Sequence, residues 1–208
     1  MFPPIFLATI WGEPMKTFIC AVAAAVVLML ASSSSGLAAA SKARAVAHLV
    51  GRDGHQVGTA NFIATSHGVL IEYDLKGLAP GAHAIHIHTS GNCDAKVAFT
   101  SAGPDLSFEP TKLHGFLAPH GPHPGDLPNE FAASDGTLHA SVISNAISLG
   151  NGKKSIFDRD GAAIIVHAKA DDYVSQPAGN SGDRIACGVI ERTVAPGARK
   201  GAKRKPHK

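Results

Sequence analysis

Cysteine is scarce in this chain of 208 residues, with only Cys20, Cys93 and Cys187 present. Helical periodicity with caps is missing throughout, which argues against a helical bundle. Charge of one sign is also lacking: the formal net charge is +3, and it is unevenly placed. Residues 41–194 carry 12 Lys and Arg against 15 Asp and Glu, a net −3, whereas residues 195–208 hold Arg199, Lys200, Lys203, Arg204, Lys205 and Lys208 and no acid. The basic character therefore belongs to a tail with almost nothing to bury, which is expected to be disordered. No long apolar run lies outside the first forty residues. The run from Phe18 to Ala31 falls short of the ~20 residues that a spanning helix needs.

What the first forty residues do contain is Lys16, that apolar run, a serine tract and the small residues Ala38-Ala39-Ala40. This is the order of a signal peptide cleaved near Ala40, with Met15 as an alternative start. A retained membrane anchor is the competing reading. Cleavage removes Cys20 and leaves Cys93 and Cys187. In an exported chain a lone pair favours a disulfide over a metal site or two free thiols. The closed loop of 94 residues contributes roughly 4 to 5 kcal/mol in the chain-entropy description. The expected organisation is an extension and leader over 1–40, one domain over 41–194 and the tail over 195–208. Two domains have little room.

Within the domain, short alternating segments are punctuated by turn residues, the pattern of an all-β sandwich or barrel. Strands are expected at 45–50, 58–65, 69–75, 83–88, 137–144 and 162–168, with turns at Asp53-Gly54, His67-Gly68, Pro80-Gly81, Asp135-Gly136 and Asp160-Gly161. Two long irregular segments, 89–129 and 171–183, are of the kind that usually carries function.

Histidine is where the chemistry concentrates. In Gly81-Ala-His-Ala-Ile-His-Ile-His88, His86 and His88 are two apart on a strand and share a face. Neutral imidazole suits copper and zinc alike. His114, His120, His123 and Asp126 form a loop cluster able to fold around a tetrahedral ion. His167 ends the apolar run Ile164-Ile165-Val166 and is followed by Asp171-Asp172.

GAHAIHIH at 81–88, TSAGP at 100–104, GPHPGDLPN at 121–129, IIVHAKADD at 164–172 and GNSGDRIACGVI at 179–190 together resemble the copper/zinc superoxide dismutase family, its bacterial exported branch in particular. The resemblance spans about Ala45 to Ile190. It implies an eight-stranded Greek-key β-barrel, copper and zinc as cofactors, and superoxide as substrate. By motif position it implies copper ligands His86, His88 and His167, and zinc ligands His114, His123 and Asp126. Asp171 is implied as the carboxylate that orients ligand rings, Arg184 as the guide for the anion, and Cys93–Cys187 as the disulfide. His83 matches a structural histidine.

One position departs. The family places a metal-bridging histidine directly after the Ser-Ala-Gly-Pro turn, where this chain has Asp105; aligned on Phe108-Glu109-Pro110 the position falls on Ser107 instead. A carboxylate has two oxygens to offer two cations, so Asp105 is the candidate bridge. It is a poor proton carrier, since a free Asp titrates at about 3.9 and imidazole at about 6.5. The resemblance therefore implies dismutation of superoxide to O2 and H2O2, with a copper/zinc binding or buffering protein of little activity as the alternative. A periplasmic or secreted location, a monomer or homodimer, and contact of the basic tail with an anionic surface or polysaccharide complete the expectations. Nucleic acid is not an expected partner.

Overall fold

A computed structural model describes residues 44–158 and 160–193. The expected leader and basic tail lie outside the described residues. Among the described residues nine strands form: β1 (Arg44–Gly51), β2 (Gln56–Thr65), β3 (Gly68–Leu75), β4 (Gly81–His83), β5 (Ile85–His88), β6 (Glu130–Ala132), β7 (Leu138–Ser144), β8 (Ala163–His167) and β9 (Arg184–Thr193). Seven make one antiparallel sheet in the order β5-β8-β9-β1-β2-β3-β7, and β4 pairs with β6. Among the described residues there is no α-helix, only two short 3-10 turns at Ala95–Val97 and Thr100–Ala102.

The segment expected as a single strand at 83–88 is broken at Ala84, and the break shapes the fold. Its first half pairs with β6, which leads into β7 at one end of the large sheet; its second half pairs with β8 at the other end. One stretch of chain thus serves both ends of a curled sheet. Counting β4 and β5 together gives the eight segments of the expected Greek-key barrel. Two strands, β6 and β9, were not expected. Arg184, Cys187-Gly188 and Glu191-Arg192 break the alternation of β9, yet it lies between β8 and β1.

Alternation sets the interior. Ala45, Ala47 and Leu49 of β1, Ala60 and Phe62 of β2, and Val69, Ile71, Tyr73 and Leu75 of β3 are buried in one core with Ile85, Ile87, Ile164 and Val166. Burial of such side chains is the main favourable contribution to folding. The unbroken apolar run at β8 follows from its having two covered faces. Ile164 and Val166 enter the main core, whereas Ala163 and Ile165 pack with Phe99, Ala102 and Cys187 in a second one. This second core underlies the connection 89–129, which the Cys93–Cys187 disulfide ties to β9. Because Ile85 and Ile87 point inward, the period of two puts His86 and His88 on the outer face, beneath that connection.

Candidate metal centre

On that outer face three imidazoles converge. His86, His88 and His167 each offer a ring nitrogen, all within 4.8 Å of one another. All three rings are buried. Each is held by its other nitrogen: His86 Nε2 donates to Asp171 Oδ2 (3.0 Å), His88 Nδ1 to the Gly103 carbonyl (2.9 Å), and His167 Nδ1 lies 3.0 Å from Ser181 Oγ. That leaves His86 Nδ1, His88 Nε2 and His167 Nε2 buried with no hydrogen-bond partner. Buried polar atoms are normally satisfied, so three orphaned nitrogens facing one point fit an ion of the kind imidazole binds.

A second set lies beside the first: Asp105, His114, His123 and Asp126 present ligand atoms within the same limit. His114 Nδ1 is 3.0 Å from Asp126 Oδ1, and His123 Nδ1 is 3.5 Å from it. Asp126 Oδ2 is engaged elsewhere, accepting from the backbone N–H groups of Gly115 and His123. The carboxylate is thereby oriented with Oδ1 facing the two rings. A tetrahedral zinc ion sets its donor atoms about 3.3 to 3.6 Å apart, which these edges approach. His120 is exposed and outside both sets. His83 is buried with its two ring nitrogens directed at the carbonyls of His167 and Ala79, a structural role.

Asp171 joins the sets from behind. Its carboxylate meets His86 Nε2 at 3.0 Å and His114 Nε2 at 3.0 Å, fixing both rings so that the opposite nitrogens face the other donors of their sets. Asp171 is itself clamped: its N–H donates to Asn129 Oδ1, Asn129 Nδ2 donates to its carbonyl, and the Tyr173 N–H donates to Oδ1. Gln176 exchanges hydrogen bonds with the backbone of His114. Gly179, at φ +64, packs where any Cβ would overlap Asp171 Oδ1. Asn129, Tyr173, Gln176 and Ser181 were not singled out in the sequence. They are ordinary loop residues, and only the folded pairing of 89–129 with 171–183 gives them a role.

Arg184, the first residue of β9, is half-buried. Its guanidinium donates from Nη1 to the Phe99 carbonyl and from Nη2 to the Gly103 carbonyl, both at 2.8 Å. Gly103 O therefore holds both His88 and the arginine. The position requires glycine, because φ is +77 and a Cβ would overlap Thr89 Oγ1.

The two sets differ in electrostatics. Burial, only partly countered by Asp105, lowers His88 to about 4; burial together with the neighbouring His86 and His88 rings lowers His167 to about 3. These rings are neutral at pH 7 and can ligate at once. For His114, burial acts downward but is outweighed by the carboxylates of Asp105, Asp126 and Asp171, which raise it to about 11. In protein stripped of metal these shifts act on stability with opposite signs. Below pH 6.5 the unfolded chain takes up protons that folded His88 and His167 refuse, so stability falls as pH drops toward 4. The stabilisation from protonated His114 is complete below 6.5 and is lost as pH rises toward 11. Urea unfolding at fixed pH values in chelator should show a maximum near pH 6.5; a profile flat from pH 4 to 9 would contradict this.

The copper/zinc superoxide dismutase (SODC) family model matches residues 56–190. A superoxide dismutase [Cu-Zn] of Caulobacter vibrioides is 44% identical over 141 residues, covering 67% of this chain and 80% of that protein. The superoxide dismutase-like protein YojM of Bacillus subtilis is 41% identical over 146 residues, covering 68% and 73%. Among solved structures, a SOD-like protein from Bacillus subtilis superposes with a TM-score of 0.66 at 38% identity, covering 69% of this chain and 96% of that one. Fold, paired donor sets and sequence lead to one conclusion: the chain belongs to the copper/zinc superoxide dismutase family.

Proposed function

We propose that the protein is an enzyme that dismutates superoxide, turning two superoxide anions and two protons into O2 and H2O2. His86, His88 and His167 would hold copper, and His114, His123 and Asp126 would hold zinc. Bound copper supplies the one-electron acceptor and donor that the reaction needs, and zinc supplies a fixed positive charge without redox chemistry. The observation that carries the reading is the convergence of three buried imidazole nitrogens without partners beside a guanidinium that shares the Gly103 carbonyl with His88. Arg184 attracts the anion and raises its local concentration, an effect for which superoxide dismutase is itself a known example. The Gly103 carbonyl sets the spacing of Arg184 from His88. Asp171 keeps the His86 and His114 rings turned to their metals. Protons come from solvent, because an ionised Asp105 carries none.

The Cys93–Cys187 disulfide supports an oxidising compartment, and we read the protein as periplasmic or secreted after cleavage near Ala40. Monomer or homodimer, and contact of the 195–208 tail with an anionic surface, stay part of the proposal. Stopped-flow decay of superoxide with protein carrying one copper and one zinc per chain tests the function. The expected rate scales with bound copper and exceeds that of the zinc-only protein by orders of magnitude. Equal rates for the two preparations would leave a metal-buffering protein.

A further inference from the structure

Asp105 lies between the donor sets with one oxygen toward each. Oδ1 is 3.3 Å from His88 Nε2 and 3.6 Å from His86 Nδ1, whereas Oδ2 is 3.1 Å from His114 Nδ1. The side chain is nearly fully buried, and Oδ2 makes no hydrogen bond. Its backbone is fixed as firmly as a strand residue: Asp105 forms an isolated bridge to His88, with the Leu106 N–H donating to the Ile87 carbonyl and the Thr89 N–H to the Pro104 carbonyl. The placement is thus set by pairing along the open edge of β5.

The contacts on the first set make little sense as hydrogen bonds. His88 Nδ1 is committed to the Gly103 carbonyl, and its Nε2, which faces Oδ1, is buried with no hydrogen-bond partner. Buried polar atoms are normally satisfied, and a cation between Nε2 and Oδ1 would satisfy both. The separations suit one, because donor atoms around a tetrahedral ion stand about 3.3 to 3.6 Å apart. On the other side, Oδ2 stands 3.1 Å from His114 Nδ1, a little short of such an edge, and is placed to supply the fourth donor beside His114, His123 and Asp126.

We propose that Asp105 is a ligand shared by the two sets, Oδ2 completing a two-imidazole, two-carboxylate site and Oδ1 adding a carboxylate oxygen to three imidazoles. This rests on the reading above that both sets hold metal. One rigid carboxylate then links the two coordination spheres, and its loss alters both. An imidazole bridge would give each metal a nitrogen, whereas this chain gives each an oxygen, the donor preferred by harder ions.

The test uses the full chain and two spectroscopic probes. Cobalt(II) alone, added to the second set, gives visible bands whose intensity reports four-coordination. Copper(II), added to zinc-loaded protein, gives an electron paramagnetic resonance spectrum that reports its donors. In Asp105→Ala the cobalt affinity should fall more than about tenfold with loss of band intensity, and the copper spectrum should shift toward an all-nitrogen donor set. Asp105→Asn, which keeps shape and one weaker oxygen, should move both spectra in the same directions and serves if the alanine variant does not fold. A change confined to one metal, or to neither, overturns the shared ligand. Protein that shows both changes but leaves superoxide untouched keeps this inference and sinks the function proposed above.

Discussion

Replacing His86 with alanine should lower copper affinity more than about a hundredfold and bring superoxide consumption down to that of zinc-only protein. The effect is expected to exceed that of removing an orienting group, which typically lowers metal affinity by about 10 to 100-fold, because His86 is a donor and a connector together. Its Nδ1 belongs to the first set, and its Nε2 donates to Asp171, whose carboxylate also holds His114. Alanine removes a donor nitrogen of the first set and leaves Asp171 Oδ2 with His114 as its remaining ring partner. The barrel should survive, since Ile85 and Ile87 point into the core from the opposite face. His48, exposed on β1, is the control whose replacement should change neither copper content nor rate. Elemental analysis and superoxide decay on the same preparations check the prediction; an alanine variant that keeps its copper would contradict it.

The second large effect is on stability. Removing both cysteines, Cys93→Ser with Cys187→Ser, opens a loop of 94 residues and should lower the unfolding free energy by about 4 to 5 kcal/mol. For a domain of this size that corresponds to a Tm lower by about 10 to 20 °C. A local consequence follows from where the bridge sits. It ties to β9 the segment whose Phe99 and Gly103 carbonyls hold Arg184, and Phe99 and Ala102 pack beneath it. The variant should therefore lose rate as well as stability, with metal content retained below its Tm. Urea unfolding of both proteins decides; a loss under about 1 kcal/mol would show that the second core holds the segment unaided.

The parts of this molecule that were legible in the sequence are those where local chemistry repeats at a fixed period. Alternation gave six strands, and two-residue spacing put His86 and His88 on one face. The break at Ala84 was not legible, because nothing in His-Ala-Ile signals that the chain is about to change partners; the closure of the sheet decides it. Strand β9 escaped because its pairing with two neighbours outweighs a pattern interrupted by Cys187-Gly188. At the site, motif order pointed to His114, His123, Asp126, His167, Asp171 and Arg184. The clamp around Asp171 by Asn129 and Tyr173, and the shared Gly103 carbonyl, depend on two distant loops meeting. Asp105 was recognisable as a departure, but its two oxygens could be assigned to two neighbourhoods only once the edge of β5 had fixed its position.

The central claim, that the imidazoles of His86, His88 and His167 share one copper ion, is tested most directly by titrating copper(II) into zinc-loaded protein. Each addition is followed by electron paramagnetic resonance with resolved nitrogen couplings. The structure predicts one signal that saturates at a single copper per chain and carries the couplings of three nitrogens. Saturation at another stoichiometry, or couplings from fewer nitrogens, would contradict it.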